Sequence, residues 1–356
     1  MDCDYFRKVT KELISIDGSI GEGGGQVLRT SLALSMVTGQ PFELRNIRSG
    51  RKRPGLMRQH LACVRAAKSV CSADVVGDEL NSKALSFVPG PVQPGEYRFS
   101  VGSAGSTCLV LQTIFPALAL ADAQTLVHVS GGTHNPLAPS SDFLAEVFAP
   151  RAAEFGFGLE VETKRYGFAP AGGGELVARI TPGATLRGLE LVERQGQPTY
   201  SARVLLSELD PSIATRELKT LCRRLPIEES STSVERVESA GPGNVVLIEA
   251  RYANCSEIVS EAGQTGVKAE RVARNGSNAM RRFIASSAPV GEHLADQLML
   301  PAAIAASRGH ESRIRVQTWS SHCATHQSVI ESFLDVRFEV TEMGEAFEWT
   351  ASPGLS

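Results

Sequence analysis

Ser19-Ile20-Gly21-Glu22-Gly23-Gly24-Gly25-Gln26-Val27-Leu28-Arg29 joins two segments of different period. Before it, Leu13–Asp17 is a short, partly alternating apolar run, which predicts a strand. After it, Val27, Leu28, Ser31, Leu32, Leu34, Ser35 and Met36 recur at helical spacing until Gly39 stops them. A strand, a glycine cluster and a helix N-terminus in that order bring free backbone N–H groups and the positive end of the helix dipole to one spot. The glycines permit positive φ and close approach of a ligand. No Gly-Lys-Ser/Thr follows, as a Walker loop requires, and the spacing is not Gly-x-Gly-x-x-Gly. Glu22 would repel an anion unless a metal lay between them. Two readings therefore stand for this stretch: a tight turn that needs glycine, or an anion cradle.

The pattern recurs twice. Tyr97–Val101 reads as a strand, Gly102–Thr107 as a turn and Cys108–Ala121 as a helix. A third glycine turn at Val290-Gly291-Glu292 opens a helix that runs to about Ala306. Each helix is followed by a strand-like run (Pro41–Ile47, Thr125–Ser130, Arg313–Thr318) and a second helix (Leu56–Val70, Ser141–Phe155, Thr325–Phe333). The turn glycine and the second helix are 31, 36 and 34 residues apart, which predicts a triplicated α/β unit. The copies themselves are unevenly spaced: 80 residues separate Gly25 from Gly105, but 186 separate Gly105 from Gly291. A module of about a hundred residues must lie in the second interval. Within it we read strands at Leu189–Glu193, Tyr200–Leu206, Ser233–Val237 and Asn244–Ala250, with helices at Ala214–Leu225 and Lys268–Ser286. The expected fold class is α/β (α+β): a large domain of three units over 1–187 and 288–356, with a small α/β domain inserted over 188–287.

Bulk properties restrict the function classes. The net charge of −3 and pI near 6.2 give no global basic field, so contact with nucleic acid needs a local patch. Seven cysteines, odd in number and without a C-x-x-C pair, suit reduced buried thiols rather than a disulfide frame or zinc site. The first residues lack an apolar signal core, and Cys108–Ala121, the most apolar run, is broken by Gln112, Thr113 and Pro116. A cytoplasmic globular protein without membrane contact is expected.

Four clusters could carry chemistry. Arg45, Arg48, Arg51, Lys52, Arg53 and Arg58 put six cations in fourteen residues, followed by Gln59-His60. They form either a solvated positive face or a phosphate site, for which the planar arginine fork is suited; Lys52 and Arg53 fit the solvated face best. Ser130–Phe143 makes a stiff Gly-Gly and proline loop before a helix, and reads as structural on pattern alone. Asp296 and Gln297 open the third helix, where an acid complements the dipole. In Trp319–His326, His322 is expected in the loop before the helix, with His326 four residues on and no third metal ligand nearby.

Taken together, six collinear motifs resemble the RNA 3′-terminal phosphate cyclase family over almost the whole chain: Gly21–Arg29; Ile47-Arg48-x-Gly50-Arg51-x-x-Pro54-Gly55-Leu56-x-Arg58-Gln59-His60; Gly102–Ser106; Ser130–Thr133; Pro170–Gly174; and Gly291-Glu292-x-Leu294-Ala295-Asp296-Gln297. The resemblance implies three repeated α/β units with an insertion before the third. It also implies ATP-dependent closure of an RNA 3′-phosphate into a 2′,3′-cyclic phosphate: a histidine is adenylylated, AMP passes to the RNA phosphate, and the 2′-hydroxyl displaces AMP. Adenylylation supplies the leaving group that a phosphate monoester lacks.

The family's nucleophile falls on His322, with His326 as the competing position. Phosphate contacts carry over to Arg29, Arg48, Arg51, Gln59 and His60, with Gln112 near them, and Glu22 becomes the ligand of a divalent metal, Mg2+ or Mn2+. Adenine contacts carry over to Pro139, Phe143, Asp296 and Gln297. His293 stands where the family pattern has a stacking Tyr, and imidazole offers less stacking area. Expected partners are ATP and an RNA with a 3′-terminal phosphate, with a homodimer left open. A catalytically silent relative would lack the histidine, and an enolpyruvyl transferase, which shares the repeated architecture, would lack both the insertion and His322.

Overall fold

The computed structural model describes residues 12–21, 24–183 and 185–354. The chain begins β1 (Ile14–Asp17), α1 (Gly25–Thr38), β2 (Phe42–Arg45), α2 (Arg58–Cys71), β3 (Asp74–Val76) and β4 (Leu85–Val88), whose strands form one sheet in the order β1-β2-β4-β3. Gly39 ends α1 in the left-handed region at φ 68°, where a side chain would be strained. Next come β5 (Glu96–Ser100), α3 (Thr107–Leu118), β6 (Thr125–Gly131), α4 (Ser141–Phe143), a π-helical turn at Leu144–Phe148, α5 (Ala149–Glu154), β7 (Gly158–Arg165) and β8 (Gly174–Thr181), with the strand order β5-β6-β8-β7. The helix expected over Ser141–Phe155 is thus interrupted by an extra residue per turn rather than regular.

After β9 (Glu190–Leu191) the chain enters β10 (Thr199–Ser207), α6 (Ser212–Arg224), β11 (Thr232–Arg236), β12 (Gly243–Arg251), β13 (Ser256–Ala262) and α7 (Ala269–Ser286), with sheet order β11-β10-β12-β13. It closes with α8 (Glu292–Ala306), β14 (Ser312–Val316), α9 (Ser321–Glu331), β15 (Val336–Met343) and β16 (Ala346–Pro353), in the order β15-β16-β14-β9. The fold is mixed α/β. Three features correct the sequence reading. Strand β9, read as part of the inserted module, pairs in parallel with β14 and belongs to the last sheet. Strand β13 is present where none was expected. Helix α9 starts at Ser321, not Thr325, because the Ser320 hydroxyl accepts the Cys323 N–H and caps it there.

Helices α1, α3 and α8 are buried on most of their surface, with Leu28, Leu32, Leu111, Leu298 and Met299 at or near zero exposure, and α9 is buried on one face through Cys323, Val329 and Ile330. Burying such a side chain contributes about 1.5–3 kcal/mol, which makes these helices a rigid platform. In the β10–β13 sheet, alternate residues serve two cores. Val204, Val246 and Ile248 pack beneath α6 and α7 with Met280 and Phe283, whereas Leu205, Val245 and Leu247 join the main core. The period of two lets one sheet bury both faces.

Candidate active site

Three helices open on glycine turns, but their N-termini differ. On α3 the Ser106 hydroxyl accepts the Leu109 N–H. On α8 the Gly291 N–H bonds the carboxylate of Glu257. On α1 the N-cap is Gly24, which has no side chain to offer, and no acid lies in the first turn. Among the described residues no side chain caps it, and such an N-terminus can receive an anion.

Cations and donors ring that end. A Cβ on Gly24 would sit 3.4 Å from an Arg51 guanidinium nitrogen; one on Gly25 would sit 2.5 Å from His60 Nε2 and 2.8 Å from Arg29 Nη1. Glycine at 25 is therefore required by what approaches it. His60 is buried, and its Nδ1 accepts the Met57 N–H at 3.0 Å. Burial, then Arg48 and Arg29, push its pKa down to about 3, so the ring is neutral and carries its proton on Nε2, beside the first turn of α1. Arg48 sits at φ 54° and donates to the carbonyls of Arg53 and Gly55, at 2.7 and 3.0 Å. Its pKa is lowered by burial and by Arg51. Arg29 is half-buried, its pKa lowered by desolvation against the opposing pull of Cys63 and Asp296. Among the described residues this guanidinium has no ion pair at contact distance, and an anionic ligand would offset the cost of its desolvation.

His322 lies in the first turn of α9, not in the loop before it, and its ring is exposed. Its Nδ1 is 3.0 Å from Gln26 Oε1, and Gln26 Nε2 donates to Asp296 Oδ2 at 3.0 Å. The carboxylate accepts from the Gln26 NH2, so the other end of the amide is the oxygen; an oxygen can only accept, so His322 carries its proton on Nδ1. In a neutral ring that tautomer puts the lone pair on Nε2. His326, one turn further on, is 6 % exposed and donates from Nδ1 to the Asp296 carbonyl at 2.9 Å. Burial lowers its pKa to about 4, and its Nε2 is enclosed without a hydrogen-bond partner.

Gln26, Arg29, Gln112, Asp296, Gln297 and His326 line one cavity between α1, α3, α8 and α9. Gln112 donates to Gln297, which in turn donates to the His293 carbonyl, while the His293 ring is exposed. Gln59 donates to the Ser106 carbonyl at 3.1 Å and ties α2 to the start of α3. Pro139 is half-exposed on the loop after β6. Phe143 is not brought to the cavity surface: it is 3 % exposed and packs in the main core. The loop is held by His134, whose Nε2 lies 2.7 Å from Asp142 Oδ2, and by Arg203 of β10, 2.9 Å from Asp142 Oδ1. Glu22 lies outside the described residues. Among those residues no three His, Cys, Asp or Glu converge as a metal site. Gln26 carried no role in the sequence reading, since a polar residue in a first helical turn ordinarily faces solvent; its partners come from 270 and 296 residues away.

A family model described as RNA 3′-terminal phosphate cyclase matches residues 20–340. The chain belongs to this family. A cyclase of that name from Salmonella enteritidis is 46 % identical over 334 residues, covering 93 % of this chain and 97 % of its own. One from Koribacter versatilis is 48 % identical over 331 residues, covering 93 % and 92 %. One from Ralstonia nicotianae is 46 % identical over 328 residues, covering 92 % and 93 %. These relatives are named as enzymes, and the chain is an enzyme of the cyclase family. Among the described residues no helix is long and apolar enough to cross a membrane.

The cavity holds one carboxyl whose charge is sensitive to pH. Burial pushes the Asp296 pKa up to about 6, against His322, His293 and Arg29, which favour the carboxylate. With a raised pKa the charged form is lost as pH falls through about 6. A reaction that uses this carboxylate is thus expected to weaken below that pH, and Asp296→Asn to remove this inflection. A profile that is the same in both proteins between about pH 5 and pH 7 would exclude Asp296 from the reaction.

Proposed function

We propose that this enzyme closes the 3′-terminal phosphate of an RNA into a 2′,3′-cyclic phosphodiester at the expense of ATP. The observation that carries the reading is the Asp296–Gln26–His322 chain of hydrogen bonds, which orients an exposed imidazole by its Nδ1 beside a helix N-terminus that has no side-chain cap. Nε2 attacks the α-phosphorus and pyrophosphate leaves. An oxygen of the RNA 3′-phosphate then attacks the same phosphorus, and the P–N bond breaks. The adjacent 2′-hydroxyl attacks the RNA phosphorus, the P–O bond to AMP breaks, and the hydroxyl proton is lost. This last step is intramolecular, so its effective concentration is high.

Arg29, Arg48, Arg51, His60 and Gln59 are proposed to hold the phosphates, with Gln112 behind them; His293, Pro139, Asp296 and Gln297 to hold adenosine, with Phe143 supporting the wall; and Glu22 to ligate an Mg2+ or Mn2+ that neutralises phosphate charge when bound. Architecture supports the carry-over. Three sheets share one strand order, each with a helix between its two parallel strands (β1/β2, β5/β6 and β9/β14), and we read them as the three repeated units. The fourth sheet, with α6 and α7, is then the inserted domain, entered after β9.

The test uses ATP and an RNA oligonucleotide ending in a 3′-phosphate, beside the same sequence as DNA. The RNA end is expected to become resistant to phosphatase as AMP accumulates, whereas the DNA end, lacking the 2′-hydroxyl, remains open. An RNA end that stays phosphatase-sensitive defeats the proposal.

A further inference from the structure

Over residues 188–287 the chain is electrically balanced, with thirteen cations and thirteen acids, yet the two helices of this region are not. Helices α6 and α7 contain eight arginines and lysines against Glu217, which is fully buried, and Glu270. Arg216 reaches Glu270 at 3.6 Å, and Arg224 donates to Ser277 and Asn278, both at 2.7 Å, so the helices run side by side in the same direction. The remaining six cations, Lys219, Arg223, Arg271, Arg274, Arg281 and Arg282, are all exposed, and none forms an ion pair among the described residues.

Helix stability does not account for them. Arg223 lies in the last turn of α6, where a cation complements the dipole, but no cation lies in the last turn of α7, and Arg271 lies in its first turn, where a positive charge opposes it. These six cations, five of them arginine, instead suit a chain of phosphates, to which the guanidinium fork donates two bonds at once. Position supports the same partner. Helix α7 ends at Ser286 and α8 begins at Glu292, so the patch is joined to the helix bearing Asp296 by a connection that spans at most roughly 20 Å, a few nucleotides of extended strand.

We propose that the outer face of α6 and α7 is a sequence-independent docking surface for the backbone of the RNA whose 3′ end enters the cavity. The inference rests on the cyclase reading for the nature of the polyanion, but its test does not need turnover. Binding of a fluorescent 20-residue RNA 3′-phosphate is measured by anisotropy across salt, for the full chain and for an Arg271→Ala/Arg274→Ala/Arg281→Ala/Arg282→Ala variant. The variant is expected to bind at least about tenfold more weakly at low salt, and its log K against log salt slope to be shallower by about 0.7 for each phosphate the protein no longer neutralises. KM should rise likewise for the 20-residue RNA, and stay unchanged for a trinucleotide 3′-phosphate and for histidine labelling by ATP. Equal binding of the long RNA by both proteins overturns the proposal, as does an equal loss on the trinucleotide. If the wild-type chain closes neither RNA but the variant still loses affinity, the cyclase reading fails and the docking surface stands.

Discussion

His322→Ala is expected to leave no label on the protein after incubation with α-labelled ATP, a loss on the order of 10³-fold or more, because the attacking atom itself is gone. His326→Ala should retain the label. The two histidines share a helix and the same proton position, Nδ1, so the distinction lies in what surrounds Nε2. On His322 the ring is exposed at the mouth of the site, and Gln26 Oε1 holds Nδ1–H at 3.0 Å. On His326 Nε2 is enclosed, and the ring's bond to the Asp296 carbonyl ties α9 to α8. Losing that tie removes a hydrogen bond between the two helices and costs about 0.5–1.5 kcal/mol of stability. The His326→Ala protein should therefore melt earlier and label more slowly while still labelling. The assignment is reversed by the opposite pattern, in which His322→Ala keeps the label and His326→Ala loses it; the bond itself should be labile to acid and stable to alkali, as a phosphoramidate is.

Much of this arrangement was legible in the sequence because backbone chemistry wrote it there. Gly39 could end α1 only in the left-handed region, and the run of apolar residues after Gly25 could only be a buried helix. The spacing of the glycine turns is the basis on which an insertion before Gly291 is proposed. What stayed hidden was short or depended on tertiary packing. Strand β9 has two residues and is defined by its partner β14, so its pattern could not show which sheet it joined. The first turn of α9, Ser321–Ala324, is mostly polar and small, and lacks the apolar period that marks Val329 and Ile330; only the Ser320 cap reveals it. Phe143 was expected at adenine only through the family resemblance, and both it and the π-helical turn after it pack into the core. Local signals specify elements; they do not say which side chain an element turns toward a ligand.

Gln26 is the clearest case of that limit, and its substitution is the second large effect expected. Gln26→Met keeps the length of the side chain and removes both hydrogen bonds. Without an acceptor on Nδ1–H, the imidazole is free to rotate and to place its proton on Nε2, which cannot then attack phosphorus. Histidine labelling should fall by about 10²–10³-fold, comparable to the loss of a single oriented group in other active sites, with little change in the binding of ATP. A reduced rate alone would also follow from general disturbance of α1, so Gln26→Glu supplies the second arm. Its carboxylate can still accept from His322, but it would stand at hydrogen-bond distance from Asp296, where two carboxylates share a proton rather than both ionise. The pair should then work only while it holds that proton, and the pH profile should turn over on its alkaline side, whereas the wild-type enzyme gains activity as pH rises through about 6. A purely structural role for Gln26 would lower the rate without inverting the profile. Labelling at the wild-type rate by Gln26→Met would show that His322 sets its own tautomer and that the chain from Asp296 is incidental.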